Sequence, residues 1–540
     1  MNLKVEYKKF PGRKWCLILL FASVDLIIHL LTNTRYDLHR DEYLYVAMKD
    51  HLDFGFMTVP PFIGIIAKFS HFLFGHTVSG YRFFPSFAGS LTVILIGMTV
   101  VELGGRWFAI TLASLSYIIS GIYLHINFML QPVSFDVLFW TLALYLSVRL
   151  IHRQDPKMWI WLGIVLGLAF QNKYLVALLY IGIPAGILFT GNRKLIWSRY
   201  FLYGCLAGFL ILLPVMIWQY RHNFPVVHHM VELQKHQLVH VSVVQFLLDQ
   251  LIINLNSIYV VIYGLIVLFF YKKEARYRYL GWTFLLVMLM LILSKGKNYY
   301  SAGLYPVMFA FGAYALEKYT FPLKGPASGN GQPVIRKAAF GYRKVLSQLL
   351  LLIPVFLFLP MLPYSLPVLK PEKMVSFCKR TAKSIGYVPV RWEDGKVHEL
   401  PQDWADMIGW RELGSIVTRT YQGMGQSDRK GCTIYAENYG QAAAIAYYGK
   451  PKGLPEPVCF IESFLFWAPD NLKTGSLIYV NEDPTEMKIF FDSVKEVGRI
   501  ENPYSRESGL PVFLCTGPHS DFGPFYTKKV RKLKNEYRRD

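Results

Sequence analysis

His39-Arg40-Asp41-Glu42-Tyr43-Leu44-Tyr45 sets two adjacent carboxylates beside a guanidinium, directly after the first strongly apolar run at 16–31 and ahead of many more. Charges at the mouth of a membrane bundle are costly unless they have partners or chemistry to do. The apolar runs around this stretch decide the fold. The 540 residues are 53% hydrophobic and 16% aromatic, with a mean hydropathy of +0.30. Such a chain reads as a polytopic α-helical membrane protein rather than a string of soluble domains.

The net charge of +21 sits in short loops between apolar runs, as the positive-inside rule expects, so no nucleic-acid partner is read from it. Lys4, Lys8, Lys9, Arg13 and Lys14 precede the first run, but no small-x-small cleavage site follows, so it reads as a retained span. Spans are expected near 16–32, 83–103, 108–125, 132–150, 158–173, 174–190, 200–219, 248–271, 279–294, 302–317 and 347–365. That is about eleven, each needing roughly 20 apolar residues. Loops carrying Arg149, Arg153, Lys157, Arg193, Lys194, Lys272 and Lys273 fall on one side. An N-terminus on that cytoplasmic side puts the Asp41-Glu42 loop outside and, with an odd number of spans, the segment 366–540 outside as well.

In the first external loop, Phe62, Ile65, Ile66, Phe69, Phe72 and Leu73 follow helical spacing after Pro60-Pro61. This predicts a helix lying in the membrane interface. The stretch 221–247 carries His222, His228, His229, His236 and His240. It reads as an interfacial loop with hydrogen-bonding histidines, a metal site being the lesser alternative. The Gly/Pro-rich 324–333 marks a connector. The chain divides into a transmembrane domain, 1–365, and a C-terminal α/β domain, 366–540. In the latter, strands are expected at 433–436, 457–461, 476–480 and 511–515, and helices at 439–448 and 484–497. Cys16 and Cys205 read as packing residues. Cys378, Cys432, Cys459 and Cys515 form no CxxC, so zinc is not indicated, and their pairing is not legible.

Asp41 is the candidate general base, with Glu42 orienting substrate or serving structure. The competing reading is an Arg40–Asp41 salt bridge capping a helix. Asp136, at the start of a span, either joins the same cavity or only faces its helix N-terminus. Arg82, Lys173, Arg221, Lys295 and Lys297 are cations on the outer side, where statistics disfavour them. An anion at headgroup level, bound by charge-assisted hydrogen bonds, is the natural reason, and plain lipid headgroups are the alternative.

Arg40-Asp41-Glu42, Pro60-Pro61, Tyr81-Arg82-Phe83-Phe84-Pro85-Ser86-Phe87-Ala88-Gly89, Phe139-Trp140-Thr141-Leu142-Ala143-Leu144-Tyr145, Gln171-Asn172-Lys173-Tyr174, Leu213-Pro214-Val215-Met216-Ile217-Trp218 and Ser294-Lys295-Gly296-Lys297-Asn298-Tyr299-Tyr300 occur in this order. Together they resemble the bacterial family 39 glycosyltransferases of the GT-C fold, relatives of protein O-mannosyltransferases and of the lipid A aminoarabinose transferase. The resemblance implies an inner-membrane enzyme that moves a sugar from a polyprenyl-phosphate donor to an envelope lipid, glycan or protein. Asp41 would be its base, Asp136 a second acid, and Arg82, Lys173, Lys295 and Lys297 its phosphate cradle, to which the neighbouring Arg40, Arg221 and Tyr299 are added as candidates. It implies no required cofactor. A divalent metal is not predicted, although His39, Asp41 and Glu42 are a set able to bind one. Tyr435-Ala436-Glu437-Asn438-Tyr439-Gly440-Gln441-Ala442 resembles the periplasmic domain of some relatives. A transporter or flippase of a lipid-linked anion is the alternative, for which broken helices at midplane would speak.

Overall fold

In the computed structural model the apolar runs become a helical bundle, described for residues 12–236, 242–321, 333–386 and 389–539. Lys4, Lys8, Lys9, His240 and most of the 324–333 connector lie outside the described residues. Six helices are long and apolar enough to cross a membrane: Gly12–Thr32, Val78–Leu103, Pro132–Arg153, Arg199–Arg221, Lys272–Leu293 and Val345–Ser365. The number rises to eight if two bent pairs each make one span. The expected runs at 158–173, 174–190 and 302–317 form shorter helices, Met158–Phe170, Ala177–Leu188 and Tyr305–Thr320. Each falls short of the roughly 20 residues of a full crossing. Leu19, Leu20, Ile27 and Leu31 stay exposed on the outside of the first helix, as does Cys16, which therefore does not pack inside; Cys205 is exposed too. All six cysteines are unpaired.

The two bent pairs replace straight expected spans. Trp107–Ile118 and Gly121–Phe128 meet at 62°, and Val243–Ile253 and Ile258–Phe270 at 109°. A break frees carbonyls that hydrocarbon cannot satisfy, so protein must do so. Here each break serves the other. Ser120 donates to the Ile253 carbonyl at 3.2 Å, Asn256 to that of Ile119 at 3.3 Å, and Ser257 to that of Ser116 at 3.4 Å. Elsewhere close packing comes from small residues. Gly163 and Gly167 face Gly204 and Gly208, and a Cβ at Gly163 or Gly204 would overlap the opposing backbone.

The loop after the first span folds into helices Arg40–Met48 and Phe62–Phe74. The second begins after Pro61, buries Ile63, Gly64, Ala67 and Ser70, and turns Ile65, Phe69, Phe72 and Leu73 outward. Gly64, Ala67 and Ser70 with Ile63 thus face the protein, and Ile65, Phe69, Phe72 and Leu73 form the outer stripe expected of an interfacial helix.

In the C-terminal part a four-stranded sheet runs β1 (Cys432–Ala436), β2 (Ser476–Val480), β4 (Pro511–Pro518), β3 (Phe491–Arg499), with β1–β2 parallel and the other pairs antiparallel. The helix expected over 484–497 is confined to Thr485–Phe490, and the rest becomes β3. The open edge of β4 overrides the local helical pattern by offering a ladder to Phe491–Arg499. The strand expected at 457–461 reduces to one bridge between Val458 and Tyr435. Helices Trp410–Gly423 and Tyr439–Gly449 share one core with the first loop: Tyr43, Leu44, Val46 and Met48 pack with Trp410, Leu413, Ala443 and Tyr447.

Candidate active site

Asp41 stands in the first turn of Arg40–Met48, so the expected loop is a helix. His39 caps it: its Nδ1 accepts the Asp41 amide at 3.1 Å while Glu42 Oε2 accepts the His39 amide at 2.7 Å. This is a capping box with histidine in the usual Ser/Thr place. An Nδ1 that accepts leaves the ring hydrogen on Nε2, which points at Asp406 across 3.5 Å.

Glu42 is fully buried and faces Arg82, also fully buried, whose Nη2 lies 2.6 Å from Oε2. The Leu130 amide donates to Glu42 Oε1 at 2.8 Å. Arg82 gives its remaining hydrogens to the carbonyls of Asn33, Tyr36 and Asp37 at 2.7, 3.2 and 2.7 Å. Arg82, expected as a phosphate-binding cation, and Glu42, expected either to orient substrate or to serve structure, are here joined in a structural pair. Glu42 has no capacity left to act on a substrate, and Arg82 has no free donor for a phosphate, because each neutralises the other inside the protein.

Asp41 itself is partly open. Its Oδ1 accepts the Tyr439 hydroxyl at 2.7 Å and lies 3.8 Å from Arg40 Nε. Among the described residues that buried Nε has no hydrogen-bond partner, and the guanidinium lies 5.0 Å from the Tyr439 ring centroid. The ion pair weighed as the structural alternative is thus present, at a length that leaves Arg40 a spare donor.

A cavity of about 740 Å³ opens beside Asp41. Its apolar wall is built by the helix breaks and the last span, through Ile119, Ile122, Ile252, Ile253, Phe358 and Met361. Its polar lining includes Arg40, Asp41, Lys297, Tyr299, His125 and Asp403. Of the candidate cations, the structure brings Arg40 and Lys297 together there, with Tyr299. Lys173 is not among the lining residues; its ammonium lies over the rings of Tyr299 and Tyr300, 5.2 and 4.9 Å from their centroids, with buried Asp136 as electrostatic neighbour. Asp136 thus acts electrostatically on Lys173 and does not line the cavity. Arg221 and Lys295 are exposed and do not line the cavity.

The C-terminal part supplies groups the sequence did not single out. His125 Nε2 and Asp403 Oδ2 are 3.0 Å apart, and Asp406 pairs with Arg506 at 3.2 Å. Burial alone would raise the Asp406 carboxyl, but the His39 hydrogen bond and the Arg506 and Arg40 charges hold it below the usual range. Glu462 accepts from Thr58 at 2.9 Å and lies 3.9 Å from His229 Nδ1. Its φ of 56° is a conformation side chains other than glycine rarely take. Burial pushes its carboxyl up to about 7, opposed by the Thr58 hydrogen bond and helped by the Asp41 charge. None of these residues sits in a motif; only the docking of the C-terminal part onto the first loop exposes them. His236 and His240 cannot be placed beside His229, since side-chain detail there falls outside the described residues. Among the described residues no three His, Cys, Asp or Glu converge as a metal-holding group.

Comparison with known proteins adds to this geometry. Residues 58–218 match the family model described as dolichyl-phosphate-mannose-protein mannosyltransferase. The structure of ArnT from Cupriavidus metallidurans bound to undecaprenyl phosphate is 14% identical, covers 93% of this chain and 99% of its own, and superposes with a TM-score of 0.55. The apo structure of the same protein is 13% identical over 94% of this chain and 100% of its own, with a TM-score of 0.57. No curated protein matches the chain. The chain is thus a multi-pass membrane protein with the fold of ArnT, and the family 39 resemblance read from the sequence meets a family model over residues 58–218.

Proposed function

We propose that the chain is an integral-membrane glycosyltransferase that moves a sugar from a polyprenyl-phosphate donor to an acceptor of the bacterial cell envelope, at the outer face of the inner membrane. The observation that carries this is the mixed lining of one cavity: apolar residues suited to an isoprenoid chain, together with Arg40, Lys297 and Asp41. The solved ArnT complex with undecaprenyl phosphate, on the same fold, supports the choice of donor.

The chemistry follows from these groups. The bond between the anomeric carbon and the phosphate oxygen breaks, and the electron pair leaves with the lipid phosphate. Arg40 and Lys297 stabilise that anion by charge-assisted hydrogen bonds, so no general acid is needed. The acceptor oxygen or nitrogen forms the new bond from the opposite side of the ring, and Asp41 takes its proton. The acceptor is an envelope lipid such as lipid A, a glycan or a protein.

The broken helices are also what a transporter of a lipid-linked anion would use. Purified protein supplied with a polyprenyl-phosphate sugar and envelope extract separates the two readings. Transfer of the sugar is the expected result; movement of intact lipid-linked sugar across vesicles without transfer overturns it.

A further inference from the structure

Asp41 is presented by one element and held by another. Its own helix turns the carboxylate toward the cavity, but a carboxylate rotates broadly about its last torsion. The group that fixes that torsion comes from nearly four hundred residues away: the Tyr439 hydroxyl, donating to Oδ1 at 2.7 Å. Tyr439 is itself rigidly placed. It is the first residue of Tyr439–Gly449, behind Asn438, which accepts the Gln441 amide at 3.0 Å while Gln441 Oε1 reaches back to the Asn438 amide. Gln441 is in turn tied to Glu507 at 2.7 Å.

The next residue is shaped to the same purpose. A Cβ on Gly440 would run into Cγ and Cδ of Arg40, so only glycine lets the Arg40 stem pass. Arg40 then lies over the Tyr439 ring, and its amide donates to the Asp406 carbonyl at 3.0 Å. Two adjacent residues thus receive two adjacent residues: Tyr439 holds Asp41, and Gly440 admits Arg40.

We propose that Tyr439 is the positioning residue of the base, fixing Oδ1 of Asp41 so that Oδ2 faces the acceptor, and that the C-terminal part thereby completes the active site. This rests on the transferase reading above. An ionised Asp41 accepts Tyr439 at one oxygen and the acceptor's proton at the other; Tyr439 keeps its own hydrogen throughout. Misplacing a base by about an ångström costs on the order of a hundredfold.

The test compares the unmodified full chain with Tyr439→Phe and Gly440→Ala, using a polyprenyl-phosphate sugar. For Tyr439→Phe, kcat is expected to fall roughly 10- to 100-fold while the donor KM stays within about twofold. Binding of undecaprenyl phosphate alone should be unchanged. Gly440→Ala keeps the hydroxyl but displaces Arg40, and is expected to lower kcat to a similar extent. Unchanged kcat in Tyr439→Phe, or a donor KM that rises with kcat preserved, overturns the assignment while leaving the transferase reading intact. If Tyr439→Phe does not fold, Asn438→Ala, which removes the cap that places Tyr439, takes its place, and full kcat in that variant overturns the assignment. If the unmodified chain transfers nothing, both fall.

Discussion

Arg82 and Glu42 lie wholly inside the protein, 2.6 Å apart, and tie the second span to the helix that carries Asp41. The cost of desolvating both charges is met by mutual attraction and by hydrogen bonds on nearly every remaining donor and acceptor.

Removing one partner strands the other. Glu42→Ala is expected to destabilise the protein by about 3–5 kcal/mol, as for other broken buried pairs. Thermal unfolding in lipid nanodiscs should show the loss. The double change Glu42→Leu with Arg82→Met, which leaves no charge behind, is expected to unfold later than Glu42→Ala.

Lys297 and Lys295 are two residues apart but differently placed, one lining the cavity and one exposed outside it. A charge-assisted hydrogen bond contributes about 1.5–3 kcal/mol. Lys297→Ala is therefore expected to weaken binding of undecaprenyl phosphate by roughly 10- to 100-fold, and Lys295→Ala by less than about twofold. Binding measured by isothermal calorimetry on the two variants checks the placement.

Glu462 gives stability a pH dependence. Its carboxyl, ordinarily near 4.5, is raised to about 7 in the fold. The folded form therefore holds a proton that the unfolded chain has already lost. That contribution is fully present below pH 4.5 and is lost as pH rises to 7, by about 3 kcal/mol in all. Glu462→Gln should flatten the fall in melting temperature between these pH values. An unchanged slope would show that Glu462 is not the group responsible.

The membrane class and the first-loop site were legible because both rest on local signals: runs of apolar residues, and charges where charges are costly. Phe62–Phe74 was legible for the same reason, since Pro61 and the spacing of Ile65, Phe69 and Phe72 are local. Asp41 was singled out, but its helix entered only as the competing reading, because a histidine cap is an uncommon start signal. The roles of Glu42 and Arg82 could not be separated in sequence, since their pairing spans forty positions and depends on two helices meeting. The bends fall inside expected spans, at Ser120-Gly121 and at Asn254-Leu255-Asn256-Ser257, and their mutual hydrogen bonds explain them. Tyr439 and Glu462 act across the seam between the C-terminal part and the first loop, where spacing carries no information.

The account turns on Asp41 as the base. Transfer from a polyprenyl-phosphate sugar by Asp41→Asn, compared with the unmodified chain at equal undecaprenyl-phosphate binding, tests it most directly. A loss of roughly a hundredfold or more in kcat is the predicted result, in line with the contribution of general-base catalysis; transfer at the unmodified rate would contradict it.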